Sequence, residues 1–209
     1  MQIAILLYEN MTALDAIGPY EVLSRLPGAN LCFTAERAGP VRTDTGFLQL
    51  VAQRPREQVE SADLLLGPGG PGDVAVRESK ATLDWVRRIH AGSTWTTSVC
   101  TGSLILAAAG LLDGKPATTH WASLDTLAEL GAKPRRERAV WLDKIVTAAG
   151  VSAGIDMALR LAAKIAGDDF ARALQLGIEY DPDPPFDAGS PDKVDPAIRE
   201  LVRTALMRA

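Results

Sequence analysis

The stretch that most restricts how this chain can fold is residues 94–109, where an apolar, β-branched run ending at Val99 meets a small, apolar, helix-tolerant run beginning at Ser103. Cys100, Thr101 and Gly102 are all that separates them, so a strand must turn sharply into a helix. A cysteine in such a turn sits at a helix N-terminus, where unsatisfied N–H groups and the macrodipole favour negative charge. The expectation is a stabilised thiolate and a nucleophile. The competing role is an inert thiol, because free cysteine packs as a small hydrophobe.

The remaining pattern supplies a sheet for that turn to stand on. Residues 2–7, 30–35 and 62–66 are short apolar runs, and the last is nearly continuous, as in a strand buried on both faces. It leads into the glycine-rich loop 67–72. Residues 41–51 predict two short strands around a turn at 43–46, residues 117–119 a short strand, and residues 139–142 with 145–147 a hairpin around Asp143 and Lys144. Helices are predicted over 82–89, 103–109, 121–130, 155–166 and 169–178, most of them closed by a glycine. Thr12 and Asp15 have the spacing of a capping box, and Gly18-Pro19 predicts a helix broken or restarted at the proline. Residues 181–186 are too rich in proline for helix or central strand and must run extended over the surface. Asp195 as N-cap and Pro196 then head a helix to about Met207. Strands alternating with helices define an α/β architecture, and the absence of a linker or repeat predicts one domain over residues 1–209.

Several function classes are disfavoured. A net charge of -4 gives no electrostatic reason to expect nucleic acid or an anionic membrane, and the basic run 133–138 is short enough to be a solvated surface. No apolar run approaches the length of a membrane span, and residues 2–7 open without a charged lead or cleavage site, so a cytoplasmic protein is expected. Two cysteines, Cys32 and Cys100, are too few for a disulfide framework, and both are expected reduced. Histidine and cysteine never occur at ligand spacing, so no metal is expected. The loop 67–72 lacks both the Gly-Lys-Ser/Thr ending of a phosphate loop and the spacing of a dinucleotide site.

Ligands of parallel α/β sheets bind at the carboxyl ends of strands. Four loops meet that condition and hold Asp15, the pair Gly69 and Gly70, Cys100, and His120. The flanking Thr101 and Gly102 leave space around Cys100, much as in a nucleophile elbow, where a strained turn exposes the nucleophile above the sheet. Asp15 suits both a helix cap and an acid/base partner of the sulfur, with Glu21 as a rival carboxylate. Gly69 and Gly70 form either a plain turn or a source of N–H groups for an anionic intermediate. His120 is either a base for Cys100 or a residue lining its pocket. Cys32, in mid-strand, reads as structural, His90 as a surface residue, and Trp85, Trp95 and Trp141 as core or interface.

Taken together, Leu14-Asp15-Ala16-Ile17-Gly18-Pro19-Tyr20-Glu21-Val22, Gly67-Pro68-Gly69-Gly70, Ser98-Val99-Cys100-Thr101-Gly102-Ser103, Thr118-Thr119-His120-Trp121 and Gly150-Val151-Ser152-Ala153-Gly154-Ile155-Asp156 resemble the ThiJ/PfpI superfamily, class I glutamine amidotransferase-like, over nearly the whole chain. Within it, Ile178-Glu179-Tyr180-Asp181-Pro182 and the segment from Pro184 to Pro191 are similar to the isonitrile hydratases, also called isocyanide hydratases. The resemblance implies a three-layer sandwich with a mainly parallel, flavodoxin-like central sheet and a nucleophile elbow at Cys100. It implies no cofactor, a small-molecule substrate and a cytoplasmic homodimer, with the early helix and the proline-rich tail expected at the dimer surface. Cys100 would be the nucleophile, Asp15 its acid/base and Thr101 a further catalytic residue, with Gly69, Gly70, His120 and Gly150 binding substrate or oxyanion. The implied reaction hydrates an isonitrile to an N-substituted formamide through a thioimidate on Cys100. Peptidase-like members place a histidine after the cysteine, and Thr101 in that position argues against a peptidase. Two other readings keep a reactive cysteine: glyoxalase- or deglycase-like action on α-oxoaldehydes, and a ligand or redox sensor in which Cys100 oxidises to sulfinic acid. Relatives that act by ligand binding carry a helix-turn-helix module, for which a chain ending at Ala209 is expected to leave no room.

Overall fold

The structure, a computed structural model, describes residues 1–206. The chain runs through β1 (Gln2–Leu6), α1 (Ala13–Leu23), β2 (Asn30–Ala35), β3 (Gly39–Arg42), β4 (Gln49–Ala52), β5 (Arg54–Pro55) and β6 (Leu64–Gly67). It continues through α2 (Asp73–Glu78), α3 (Lys80–Gly92), β7 (Trp95–Val99), α4 (Gly102–Ala108), β8 (Pro116–Ala117), α5 (Leu124–Glu129) and β9 (Lys133–Pro134). The last elements are β10 (Ala139–Leu142), β11 (Ile145–Ala148), α6 (Ala153–Ala166), α7 (Asp168–Gly177) and α8 (Pro196–Leu206).

Seven strands form the central sheet in the order β10-β11-β7-β6-β1-β2-β5, parallel throughout except for the antiparallel edge strand β10. Leu64, Leu65 and Leu66 are all buried, as the continuous apolar run requires of a strand covered on both faces. From β1 the chain moves one way to β2, and from β6 it moves the other way to β7. Right-handed crossovers in opposite directions put the connecting helices on opposite faces, which makes the three layers. On one side α1 packs with α6 and α6 with α7, while α2, α3, α4 and α5 pack among themselves on the other.

Several expectations are corrected. The proline does not break α1, because Pro19 lies inside a continuous helix. Packing explains why: a Cβ on Gly154 of α6 would lie 3.1 Å from Pro19 Cγ, and one on Gly18 3.0 Å from Ile155 Cγ1. Close contact with α6 offsets the lost backbone hydrogen bond. The capping box does not form either. Thr12 makes no side-chain cap, and its hydroxyl donates to Asp44 Oδ2 at 2.7 Å. The short helix α2 and edge strand β5 are additional to the sequence reading, and residues 121–123 form a single turn of 3-10 helix before α5. The 139–147 hairpin forms as expected, with Asp143 at φ +49 in its turn. Residues 181–186 contain no regular element. The predicted end of α8 at Met207 lies outside the described residues. No helix among those residues is long and apolar enough to cross a membrane.

Candidate active site

Strands β1, β6 and β7 are neighbours, β11 lies beside β7, and all four run parallel. Their carboxyl ends therefore deliver Asp15, the 68–70 loop, Cys100 and residues 149–151 to one place. Cys100 sits in the left-handed region, φ +56, which costs a non-glycine residue about 1–2 kcal/mol. Its surroundings fix that conformation. The Cys100 N–H donates to the Ala149 carbonyl at 2.8 Å and the Ala148 carbonyl at 3.2 Å. Its own carbonyl accepts from Thr119 Oγ1 at 3.0 Å and from Ser103 Oγ at 3.2 Å. Two glycines let the β6 loop press against this turn. A Cβ on Gly102 would lie 2.1 Å from the Gly67 oxygen, and one on Gly69 would lie 2.4 Å from the Thr101 nitrogen.

Asp15 is wholly buried. Instead of capping α1, it reaches across the sheet end, where Oδ2 accepts from the Gly69 N–H at 2.9 Å. Oδ1 is shielded from solvent with no well-aligned donor among the described residues. The Cys100 thiol beside it is coupled to the carboxyl, each altering the other's ionisation. Burial pushes the Asp15 carboxyl up to about 7, against the Gly69 N–H and Cys100, which favour the anion. Burial, and after it the Asp15 charge, pushes the Cys100 thiol far above its ordinary value, against the N–H groups of Thr101 and Val151. Burial and the facing carboxylate thus act against the thiolate that a helix N-terminus favours, while the N–H groups of Thr101 and Val151 act for it.

The glycine loop is also arranged differently from the sequence reading. The Gly69 N–H is taken by Asp15, and the Gly70 N–H donates to Thr101 Oγ1 at 2.9 Å. Neither is a free donor for an anion in this state; they anchor the acid and the threonine. The N–H groups that face the sulfur belong to Thr101 and Val151. Val151 was missed, although glycine-punctuated residues directly after β11 were the available signal. Tyr8 was missed too. Its hydroxyl donates to the Pro68 carbonyl at 2.8 Å and braces the loop from within. Burial pushes it up, helped by the charges of Asp73, Asp15 and Cys100.

Buried Cys100, Asp15, Gly69 and Gly70 and half-buried Thr101 therefore form one cluster. His120 and Gly150 line an adjoining cleft of about 590 Å³ together with Ala149 and Val151. His120 follows β8, which pairs with β9 outside the central sheet, yet its loop is tied in by Thr118 N–H donating to Thr147 Oγ1 at 2.9 Å. Its Nδ1 accepts from the Ala122 N–H at 3.3 Å, so Nε2 carries the proton. Burial lowers its basicity and keeps it neutral. Gly150 is required by that ring, since a Cβ there would lie 2.8 Å from His120 Cδ2. Glu21, the rival carboxylate, pairs with Arg25 at 2.8 Å on the surface of α1. His90 is half-buried rather than on the surface, and its Nδ1 lies 2.8 Å from Thr96 Oγ1 near the start of β7.

Fold and cluster together define an α/β protein with a cysteine on a strained strand-to-helix turn above a parallel sheet. The profile of the DJ-1/PfpI family matches residues 1–164, and the chain belongs to that family. Isonitrile hydratase of Pseudomonas putida is 44% identical over 97% of this chain and 89% of its own length. The crystal structure of a ThiJ/PfpI family protein from Pseudomonas syringae superposes with a TM-score of 0.95 at 38% identity, covering 99% of this chain and 86% of that one. Drosophila melanogaster DJ-1beta, at 21% identity and TM-score 0.77 over 85% of this chain and 97% of its own, shares the fold.

Proposed function

We propose that this protein hydrates isonitriles to N-substituted formamides, with Cys100 as nucleophile and Asp15 as proton carrier. The observation that carries the reading is the buried, coupled Cys100–Asp15 pair in a chain 44% identical to a protein named isonitrile hydratase. An isonitrile carbon must gain both a nucleophile and a proton. A carboxyl poised near neutrality beside a thiol can supply both in one site.

The Asp15 carboxylate takes the thiol proton as sulfur attacks the terminal carbon, then delivers that proton to the same carbon. The S–H bond breaks, the S–C and C–H bonds form, and a thioimidate results. Water adds to the thioimidate carbon while its nitrogen gains a proton, with Asp15 relaying it. The C–S bond then breaks, the new hydroxyl proton returns through Asp15 to sulfur, and the formamide leaves. Thr101 positions the sulfur through its N–H and grips Gly70 through its hydroxyl. The neutral His120, which lines the cleft, has a proton on Nε2 to donate. Each step uses side chains and water alone.

The test is incubation with an aryl or alkyl isonitrile, following formamide by chromatography, with methylglyoxal at equal enzyme as the comparison. Formamide formation that disappears in Cys100→Ala supports the reading. Turnover of methylglyoxal alone, or full activity in Cys100→Ala, would sink it. The working unit is proposed to be a homodimer, for which the exposed Leu14 of α1 and Phe186 of the tail provide apolar surface; a monomer by light scattering removes that part.

A further inference from the structure

The cleft beside Cys100 has a charge pattern that hydration of a neutral isonitrile does not call for. Arg136, Arg138, Arg199 and Arg203 line it against two carboxylates, Glu137 and Asp192, in a chain whose net charge is -4. Two of the arginines have carboxylate partners. Arg136 pairs with Asp192 at 3.4 Å, and Arg138 pairs with Asp156 at 2.6 Å while donating to Ser152 at 3.0 Å. Arg199 and Arg203, one turn apart on α8, take part in no ion pair among the described residues. Arg199 Nε is shielded from solvent and has no hydrogen-bond partner among those residues. Arg203 lies over the Trp121 ring at 5.5 Å, a contact that steadies a guanidinium without cancelling its charge. A desolvated, unpaired guanidinium donor is costly, and a planar oxyanion is the group that satisfies it in fork geometry.

The other wall of the cleft leads to the chemistry. Ala149 accepts the Cys100 N–H at 2.8 Å, and the Val151 N–H faces the sulfur. Trp121 and Leu124 add apolar surface to the lining of the same cleft. We infer that this cleft selects isonitriles that carry a carboxylate, with Arg199 and Arg203 gripping the carboxylate while the isonitrile end reaches Cys100. This assignment rests on the isonitrile reading above and adds the substrate class. It also gives α8 a role, since that helix brings the two unpaired cations to the cleft.

The test compares 4-isocyanobutanoate with its uncharged methyl ester on the full chain. The acid is expected to exceed the ester in kcat/KM by about tenfold or more, chiefly through KM, with the ratio shrinking as salt rises. Arg199→Gln and Arg203→Gln are each expected to bring the ratio down several-fold, and Arg199→Glu to turn preference towards 4-isocyanobutylamine, which carries an ammonium group. Because each value is a ratio of two substrates in one preparation, partial loss of folded protein cancels. Equal rates for acid and ester in the unaltered protein, or a preference that survives both glutamine variants, overturns the assignment. If neither of these nor a plain alkyl isonitrile turns over, the hydratase reading fails instead. Calorimetry with hexanoate then decides the anion site separately: binding that is lost in Arg199→Gln retains it, and no binding removes it.

Discussion

Two regions of this molecule hold their charged groups in opposite ways. At the carboxyl ends of β1, β6 and β7, Asp15 and Cys100 are buried, held by backbone amides and by close glycine contacts. In the segment from residue 181 to α8, most charged side chains are exposed, Arg199 and Arg203 are half-buried, and Ile198, Leu201 and Phe186 are exposed. The first region suits chemistry that any isonitrile would need. The second suits discrimination among substrates, since its cations can be exchanged without disturbing the sheet. On the proposed function, reactivity falls to the sheet end and selectivity to the tail.

Changes in the core should have effects that no change in the tail matches. Cys100→Ala is expected to lower hydration by more than about a thousandfold while leaving the fold intact, read as formamide produced beside an unchanged circular dichroism spectrum. Gly102→Ala tests the packing behind it. With its Cβ driven to 2.1 Å from the Gly67 oxygen, the loss of stability should exceed about 4 kcal/mol in denaturant unfolding, far above an ordinary glycine-to-alanine change. A loss below about 1 kcal/mol would mean that the 67–70 loop yields freely, and the contrast with the tail would weaken.

Asp15 connects activity and stability through pH. Its carboxyl rises from an ordinary 3.8 to about 7 in the folded protein. A group raised on folding contributes stability that is complete below its unfolded value and is lost as pH climbs through its folded value. Between those limits the loss amounts to at most about 4 kcal/mol. Asp73, raised by burial to about 6, adds a loss of the same sign. Asp15→Asn should therefore flatten the decline, which chemical denaturation at several pH values would measure. Turnover should follow the opposite course, rising as pH passes about 7 because the carboxylate takes the thiol proton. In Asp15→Asn that rise should vanish and kcat/KM fall about a hundredfold or more.

The core was legible in the sequence because its signals are local. The apolar run before Gly67 marked the buried strand, and the passage from Val99 to Ser103 marked the turn. What escaped was long-range. Asp15 has the spacing of a cap three residues after Thr12, yet its partner is Gly69, brought near by strand order. Pro19 reads as a break until Gly154 is packed against it. Burial and the Asp15 charge push the Cys100 thiol up, against the effect that a helix N-terminus read from sequence predicts. The arginines of the cleft lie far apart in the chain, at 136–138 and 199–203, and only the path of the tail joins them.

The smallest effect should come from the tie between those two segments. Arg136 and Asp192 pair at 3.4 Å with side chains 72% and 71% exposed, so solvent and salt screen most of their attraction. A double-mutant cycle across Arg136→Ala and Asp192→Ala should give a coupling of about 0.5 kcal/mol or less, vanishing in high salt. A coupling of about 2 kcal/mol or more would mean that the pair is desolvated and fixes the cleft wall as firmly as Gly69 fixes Asp15. The weak value carries a further consequence: exchange of amide hydrogens in residues 181–193 should be fast, while those of β6 and β7 exchange only on global unfolding.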